Sequence, residues 1–411
     1  MAQKIAVVGG GYAGMAAAFT LAEAGVKATV FESAKTLGGR ARRVESGGFF
    51  LDNGQHILMG CYTATLSLIE KVWGEKQPYS RFPLEISVDE LEIRARKLPS
   101  PLDLLTGFLF AKGISISERI SAIRFLGTAK LDADRSVKKL LEQYHQGEKI
   151  TRLLWEPLCI SALNTPLASA SARVFLAVLR DGLGGSGSDM ILPAVDLTSL
   201  FPEGAAKRIR EAGGEVRTST PVRTIRRMEK GFELDTASGT LHFDQVIVAV
   251  PPWQLQRLGL PPVEFSYQPI VTVYSQYPET VSLQRPMQGF STGLAQWFFD
   301  RGKWCGQKGL IASVTSAEGE HMKLRHEEIA KQVHLETSAR IPGLPDPLWQ
   351  KVIAEKRATF ASTPDLFRPK NATAWPGLHL AGDYTESEYP STLEAATRSG
   401  IAAAKLALAP E

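Results

Sequence analysis

The sequence predicts an α/β fold: a discontinuous Rossmann-like nucleotide-binding domain with a helical to mixed α+β second domain inserted into it. Three observations predict it. A strand, a glycine-rich turn, a helix and a second strand follow one another between Lys4 and Arg40. Strand signals return in force after residue 215, and a last strand and alanine-rich helix run from Leu378 to Leu408.

Ile5 to Val8 is aliphatic and β-branched, as suits a strand covered on both faces. The following turn, Gly9-Gly10-Gly11-Tyr12-Ala13-Gly14, sets Gly9, Gly11 and Gly14 in G-x-G-x-x-G spacing. The first glycine permits the tight turn, the second lets backbone approach a pyrophosphate, and the third lets helix pack on strand. Met15 to Ala24 reads as a helix closed by Gly25, and its start offers unpaired N–H groups to phosphate beside Tyr12 and Ala13. Lys27 to Phe31 is the second strand, ending at Glu32, 18 residues beyond Gly14. A carboxylate there accepts bonds from ribose hydroxyls and repels a 2′-phosphate, so NAD and FAD fit and NADP is disfavoured. The next segment, Leu37-Gly38-Gly39-Arg40-Ala41-Arg42, favours FAD. Its glycines bring backbone close to a ligand, and Arg40 supplies charge-assisted bonds to a pyrophosphate reaching past the first helix.

From Cys61 to Gly187 the pattern becomes mostly helical, with helices expected over Ser117–Lys130 and Asp134–Tyr144. Strands are expected at Glu215–Thr218, Thr224–Arg227, Phe232–Thr236, Asp244–Val250, Phe265–Tyr277 and Leu310–Ser316, and a helix over Ala317–Glu336. The Leu378–Asp383 stretch reads as a strand running into a loop, before a helix from Thr392 to Leu408. Residues 1–60, 190–262 and 370–411 are accordingly assigned to the nucleotide-binding domain, and 61–189 and 263–369 to a substrate domain. The glycine-rich 182–188 stretch reads as a hinge or a tight ligand-facing turn.

Composition excludes several classes. At 411 residues, 44% hydrophobic and 22% charged, the chain is an ordinary folded protein and not a disordered one. Its net charge of +4 is dispersed along the chain, which argues against nucleic acid and leaves weak attraction to anionic lipid open. Cys61, Cys159 and Cys305 lack CxxC spacing and are expected to be buried free thiols in a reducing compartment. No metal site is expected. No stretch reaches the ~18 apolar residues of a spanning helix, and the opening MAQKIAVVGGG lacks a signal-peptide apolar core. The expected location is the cytoplasm.

GGGYAGMAAAFTLAEAGVKATVFESAKTLGGRARR, beginning at Gly9, resembles the N-terminal signature of the flavin amine oxidase and carotenoid desaturase superfamily. That resemblance implies non-covalent FAD, with Gly39 and Arg40 beside its pyrophosphate and ribityl chain. The stretch from Glu215 to Ile225 is similar to the superfamily's adenine-side strand, where Val222 would bind FAD through its backbone. Leu380-Ala-Gly382-Asp383 matches the segment whose acidic residue contacts the ribityl or pyrophosphate portion. The helix opening at Ser391, Thr392 and Leu393 would aim its N-terminus at the flavin pyrimidine ring, stabilising reduced flavin by roughly 0.3–1 kcal/mol and up to ~2 when partly buried.

Three further segments resemble the hydroxysqualene dehydroxylases: Asp52-Asn-Gly-Gln-His56, the stretch from Leu154 to Pro166, and that from Tyr389 to Gly400. This implies reductive removal of the hydroxyl of hydroxysqualene to give squalene in bacterial hopanoid synthesis, with FAD reduced by an unidentified electron donor. Gly54, Gln55 and His56 would lie near the flavin. One of His56, Glu388 and Tyr389 would assist departure of the hydroxyl. A C30 substrate needs apolar surface, which residues 101–110 with Ile114, Ile116, Ile120, Ile123 and Phe125 supply. The same residues suit either an ordinary core helix or a shallow face resting peripherally on the inner side of the cell membrane. A carotenoid-type desaturase or saturase is the nearest alternative, and an escort-type prenyl-lipid carrier the non-catalytic one, against which the intact flavin motifs argue.

Overall fold

Every residue of the Ile5–Val8 strand is buried, and the strand pairs in parallel on both sides, with Ala28–Phe31 and with Gln245–Val248. The structure, a computed structural model, describes residues 3–96, 98, 102–183 and 185–409. Glu215–Arg217 and Leu378–Leu380 add the outer strands of this five-stranded parallel sheet. Side chains alternate between its faces. Ile5 and Val7 pack on the helices Tyr12–Glu23, Pro202–Glu211 and Leu393–Leu408. Ala6 and Val8 pack on a three-stranded antiparallel sheet of Val222–Arg227, Phe232–Thr236 and Gly239–Phe243. The Leu393–Leu408 and Tyr12–Glu23 helices cross with their backbones nearly touching: a Cβ on Gly400 would lie 2.1 Å from the Ala13 carbonyl oxygen.

A seven-stranded mixed sheet forms the second layer system, in the order Trp349–Phe360, Tyr267–Gln276, Leu310–Ser316, Trp297–Asp300, Met287–Gly289, Glu85–Val88 and Leu91–Arg94. One face is covered by His326–Arg340, whose Ile329 and Val333 meet Val271, Val273 and Ile311. The other meets a helical cluster built round Phe108, Phe125, Trp155 and Phe175.

Several expectations need correcting. The first helix begins at Tyr12, inside the glycine turn. Residues 61–187 are not only helical: Tyr79–Phe82, Glu85–Val88 and Leu91–Arg94 are strands, and the last two belong to the large sheet. The helix expected from Asp134 shortens to Val137–Gln143, because Ser136 accepts from the Lys139 N–H and caps it there. The helix expected from Ala317 starts nine residues later, at His326. Ala317 is left-handed at φ 66° and Gly319 is fully extended, so the chain turns before it can coil. The cysteines are free, yet only Cys159 is buried; Cys61 and Cys305 are partly exposed. Pro101 and Gly184, from the apolar and glycine-rich stretches, lie outside the described residues. Among the described residues no helix is long and apolar enough to cross a membrane.

Candidate functional site

A cavity of about 790 Å³ extends from the glycine turn to the seam between the large sheet and the helical cluster. Its walls change character along the way. Gly9, Gly11, Glu32, Arg40, Val222 and Asp383 border one part, and Phe175, Leu179, Met287, Trp297 and Phe299 another.

The polar part is a cradle for a dinucleotide. Gly9 adopts φ 111°, and a Cβ there would lie 2.5 Å from the Ala249 carbonyl oxygen. Gly11 opens onto the cavity, where a Cβ would meet nothing closer than the Gly39 Cα at 3.7 Å. The Tyr12–Glu23 helix that follows has no side-chain N-cap, so its first N–H groups stay free for phosphate oxygens. Tyr12 and Ala13 border the cavity, the Tyr12 hydroxyl donating away from it to the Leu197 carbonyl at 2.8 Å. Gly14 does not border it; it lets the helix settle on Gly9. Buried Glu32 accepts from the Gly10 N–H at 2.6 Å and the Ala34 N–H at 2.7 Å, which fixes its carboxylate at the wall.

Gly38 and Gly39, both at positive φ, turn the chain so that the Gly38 N–H donates to the Gly10 carbonyl at 2.9 Å. This delivers Arg40 to Asp383 at 2.5 Å, although 343 residues separate them. The second Asp383 oxygen accepts from Ser391. The Tyr384 side chain is buried, its hydroxyl has no protein partner, and it borders the same cavity. Bare backbone donors, a glycine surface that any Cβ would obstruct and an unpartnered phenol together fit FAD. Gly39, Arg40, Val222, Gly382 and Asp383 would hold it along its length.

Ser391, Thr392 and Leu393 border the cavity at the start of the Leu393–Leu408 helix, where Thr392 accepts from the Ala395 N–H at 3.1 Å. Glu394, which sequence reasoning missed, is fully buried just behind. It accepts from the Ala64 and Thr65 N–H groups and from Arg398 Nε, capping the Thr63–Trp73 helix from outside.

The segment from Asp52 to His56 enters the cavity wall through Gly54, at φ 103°. Gln55 accepts from Arg301 Nη1 at 2.8 Å, and Arg301 lies 3.7 Å from Asp52, both side chains all but inaccessible. Burial pushes the Asp52 carboxyl up to about 6, against the pull of Arg301 and the Leu197 N–H. The folded protein therefore takes up this proton before the unfolded chain does. Asp52 contributes stability that is fully present below the ordinary carboxylate range and is lost as pH rises through about 6, on the order of 3 kcal/mol in all. Urea midpoints followed across that window should show Asp52→Asn losing the corresponding part of the slope, whatever its effect on absolute stability. Identical slopes would mean that Asp52 does not titrate there.

The three candidate proton donors separate clearly. His56 Nδ1 lies 2.8 Å from the Gly54 carbonyl, which only accepts, so Nδ1 carries the proton of the neutral ring and Nε2 is bare. Burial, and then Arg40, oppose a second proton. His56 is thus an acceptor, not the donor expected. Glu388 does not border the cavity; its carboxylate is mostly exposed and pairs with Arg180 at 2.9 Å, so it too is set aside. Tyr389 does border the cavity and donates to Asp181 at 2.6 Å. Burial and that bond push the phenol up to about 12, and Arg180 holds Asp181 below the usual carboxylate range. Asp181, also in the wall, was missed because 208 residues separate it from Tyr389 and no spacing links them. Cys61 shares the wall, and burial raises its thiol to about 11, which keeps it protonated.

A family model described as flavin containing amine oxidoreductase matches residues 12–408. The chain is similar to a protein of Zymomonas mobilis named hydroxysqualene dehydroxylase, 29% identical with 98% of each chain covered. A protein of that name from Rhodopseudomonas palustris is 28% identical, with 100% of this chain and 99% of the relative covered. Among solved structures, an oxidoreductase from Methanosarcina mazei shares the fold, with a TM-score of 0.77 over 98% of this chain and 100% of that one at 15% identity.

Proposed function

The chain belongs to the flavin containing amine oxidoreductase family and is an FAD-dependent oxidoreductase, and from that premise we propose that it reductively removes the hydroxyl of hydroxysqualene, giving squalene and water. The observation that carries the reading is the full-length likeness to relatives named for that reaction. The cavity supports it: a nucleotide cradle opens into a part walled by Phe175, Leu179, Met287, Trp297 and Phe299, apolar enough for a long hydrocarbon.

FAD, bound in its reduced form, supplies a hydride; the remaining tasks fall to the polypeptide. The apolar walls exclude water, so that an allylic cation left by the departing hydroxyl is not recaptured. Departure needs a proton on the leaving oxygen. Tyr389 holds one at the cavity wall, shared with Asp181, while neutral His56 can accept a hydrogen bond at Nε2 and orient the hydroxyl. With synthetic hydroxysqualene and chemically reduced enzyme, single-turnover assays should yield squalene. Tyr389→Phe should slow it by about 10²–10⁴-fold at unchanged flavin content. A wild-type rate in Tyr389→Phe would remove the phenol from the mechanism. No squalene from hydroxysqualene, together with hydrogen removal from squalene or phytoene by the oxidised enzyme, would replace the proposal with a desaturase.

A further inference from the structure

Fifteen large hydrophobic residues are exposed among those described, and seven of them fall between Leu98 and Ile120. Isolated exposed leucines need no explanation; a cluster does. Leu102, Leu105 and Leu109 form one stripe of the Leu102–Leu109 helix, while Leu104 and Phe108 bury the opposite one in the helical cluster. Phe110 follows, and Ile116 and Ile120 form a stripe on the Ile116–Thr128 helix, whose Ala122 and Phe125 face the same core. These six outward side chains are between 37% and 70% exposed.

The polar groups of the same segment are organised as for a medium that offers no hydrogen bonds. The Thr106 hydroxyl turns back onto the Leu102 carbonyl at 2.7 Å. The Arg119 guanidinium donates to the Leu109 carbonyl at 3.0 Å and the Ile114 carbonyl at 3.2 Å, closing the end of the first helix. Ser115 and Glu118 form a capping box that closes the start of the second. The charges are one-sided. Residues 96–130 hold six basic and two acidic side chains; Lys112 pairs with Glu92 at 3.4 Å, while Asp103 is buried and Glu118 is held in its cap. Arg96 lies over the Phe110 ring at 4.1 Å, and Arg124 and Lys130 are exposed.

We propose that this two-helix face docks onto the surface of an anionic lipid bilayer, its leucine, isoleucine and phenylalanine side chains entering the acyl boundary and its arginines and lysines meeting the headgroups. The reading does not depend on the reaction proposed above. Full-length, flavin-loaded protein should sediment with vesicles of phosphatidylcholine and phosphatidylglycerol, less with phosphatidylcholine alone, and less again in high salt. Leu105→Glu, Phe110→Glu and Ile116→Glu combined should weaken binding on the order of a hundred-fold or more, with flavin content unchanged. Should that variant fold poorly, Arg124→Glu with Lys130→Glu alters only exposed charges, and it should weaken binding to the anionic vesicles alone. Three results would each overturn the proposal: protein left in the supernatant with both vesicle types, equal partition onto neutral vesicles, or self-association through this face in solution that the triple variant abolishes.

Discussion

Gly14→Ala is expected to yield a protein that purifies without its flavin and unfolds at lower denaturant. A Cβ on Gly14 would lie 1.9 Å from the Gly9 carbonyl oxygen and 3.1 Å from the Ala249 Cβ. The obstacle is backbone, so no side chain can rotate aside. Gly9 has no room to yield either, since its own Cβ position is blocked by the Ala249 carbonyl and its φ of 111° belongs to glycine alone. The helix must lift off the strand, carrying with it the N–H groups that face the phosphates. Overpacking of this kind costs about 1–3 kcal/mol and occasionally more. Gly127→Ala is the matched control: it lies in a helix with nothing within 4 Å of a built Cβ, and it should stabilise by up to ~1 kcal/mol and keep its flavin. The ratio of flavin to protein absorbance, with urea midpoints, distinguishes the two. A fully yellow Gly14→Ala protein would show that the turn relaxes more easily than its geometry implies.

Glu394→Ala should destabilise the fold clearly. Its carboxylate is inaccessible and accepts four bonds, from the Ala64 N–H at 3.0 Å, the Thr65 N–H at 2.9 Å, the Thr65 hydroxyl at 2.8 Å and Arg398 Nε at 2.6 Å. Ala64 and Thr65 lie in the first turn of the Thr63–Trp73 helix, whose own N-cap residue, Tyr62, offers no side-chain bond. Alanine would leave the two N–H groups unmet, while the Thr65 hydroxyl keeps Thr397 at 3.1 Å and Arg398 keeps Thr63 at 3.1 Å. Leaving helix-start N–H groups without acceptors at this buried site costs about 1–3 kcal/mol each, a large share of a typical domain's ~5–15 kcal/mol. Glu394→Gln retains one acceptor oxygen and should cost clearly less. Because Ser391 to Leu393 precede Glu394 directly, FAD affinity, read by quenching of flavin fluorescence, should fall in the same order as stability. Equal stability of the two variants would mean that water takes over the cap.

What could be read from the sequence was local or periodic. The Gly9 to Gly14 turn was legible because an aliphatic run precedes it and an alanine-rich helical run follows it, and Leu310–Ser316 agrees to the residue. Boundaries moved where a single conformation decided them, as at Ala317. The strands Glu85–Val88 and Leu91–Arg94 alternate polar and apolar residues, but at four residues each they are too short to stand out from the helical signals that follow them. The same limit applies to the site. Arg40 was legible from its glycine neighbours and Asp383 from its motif, but their pairing was not. Glu388 and Tyr389 are adjacent, yet one reaches solvent and the other the cavity. The Asp181 contact decides between them, and only the folded chain provides it.

The cradle for the flavin also has an order of assembly. Glycine turn, Glu32 and Arg40 are synthesised first, but the counter-charge for Arg40 is Asp383, and the helix end that borders the cavity begins at Leu393. A nascent chain that has passed Val248 possesses the inner strands and none of this closing half. Until Asp383 is made, Arg40 lacks its counter-charge and has only the Ala358 carbonyl at 2.8 Å, and until the Leu393–Leu408 helix lays Gly400 against Ala13 the first helix lacks its cover. A chain cut short before Asp383 is therefore expected to purify without flavin, which its absorbance would show.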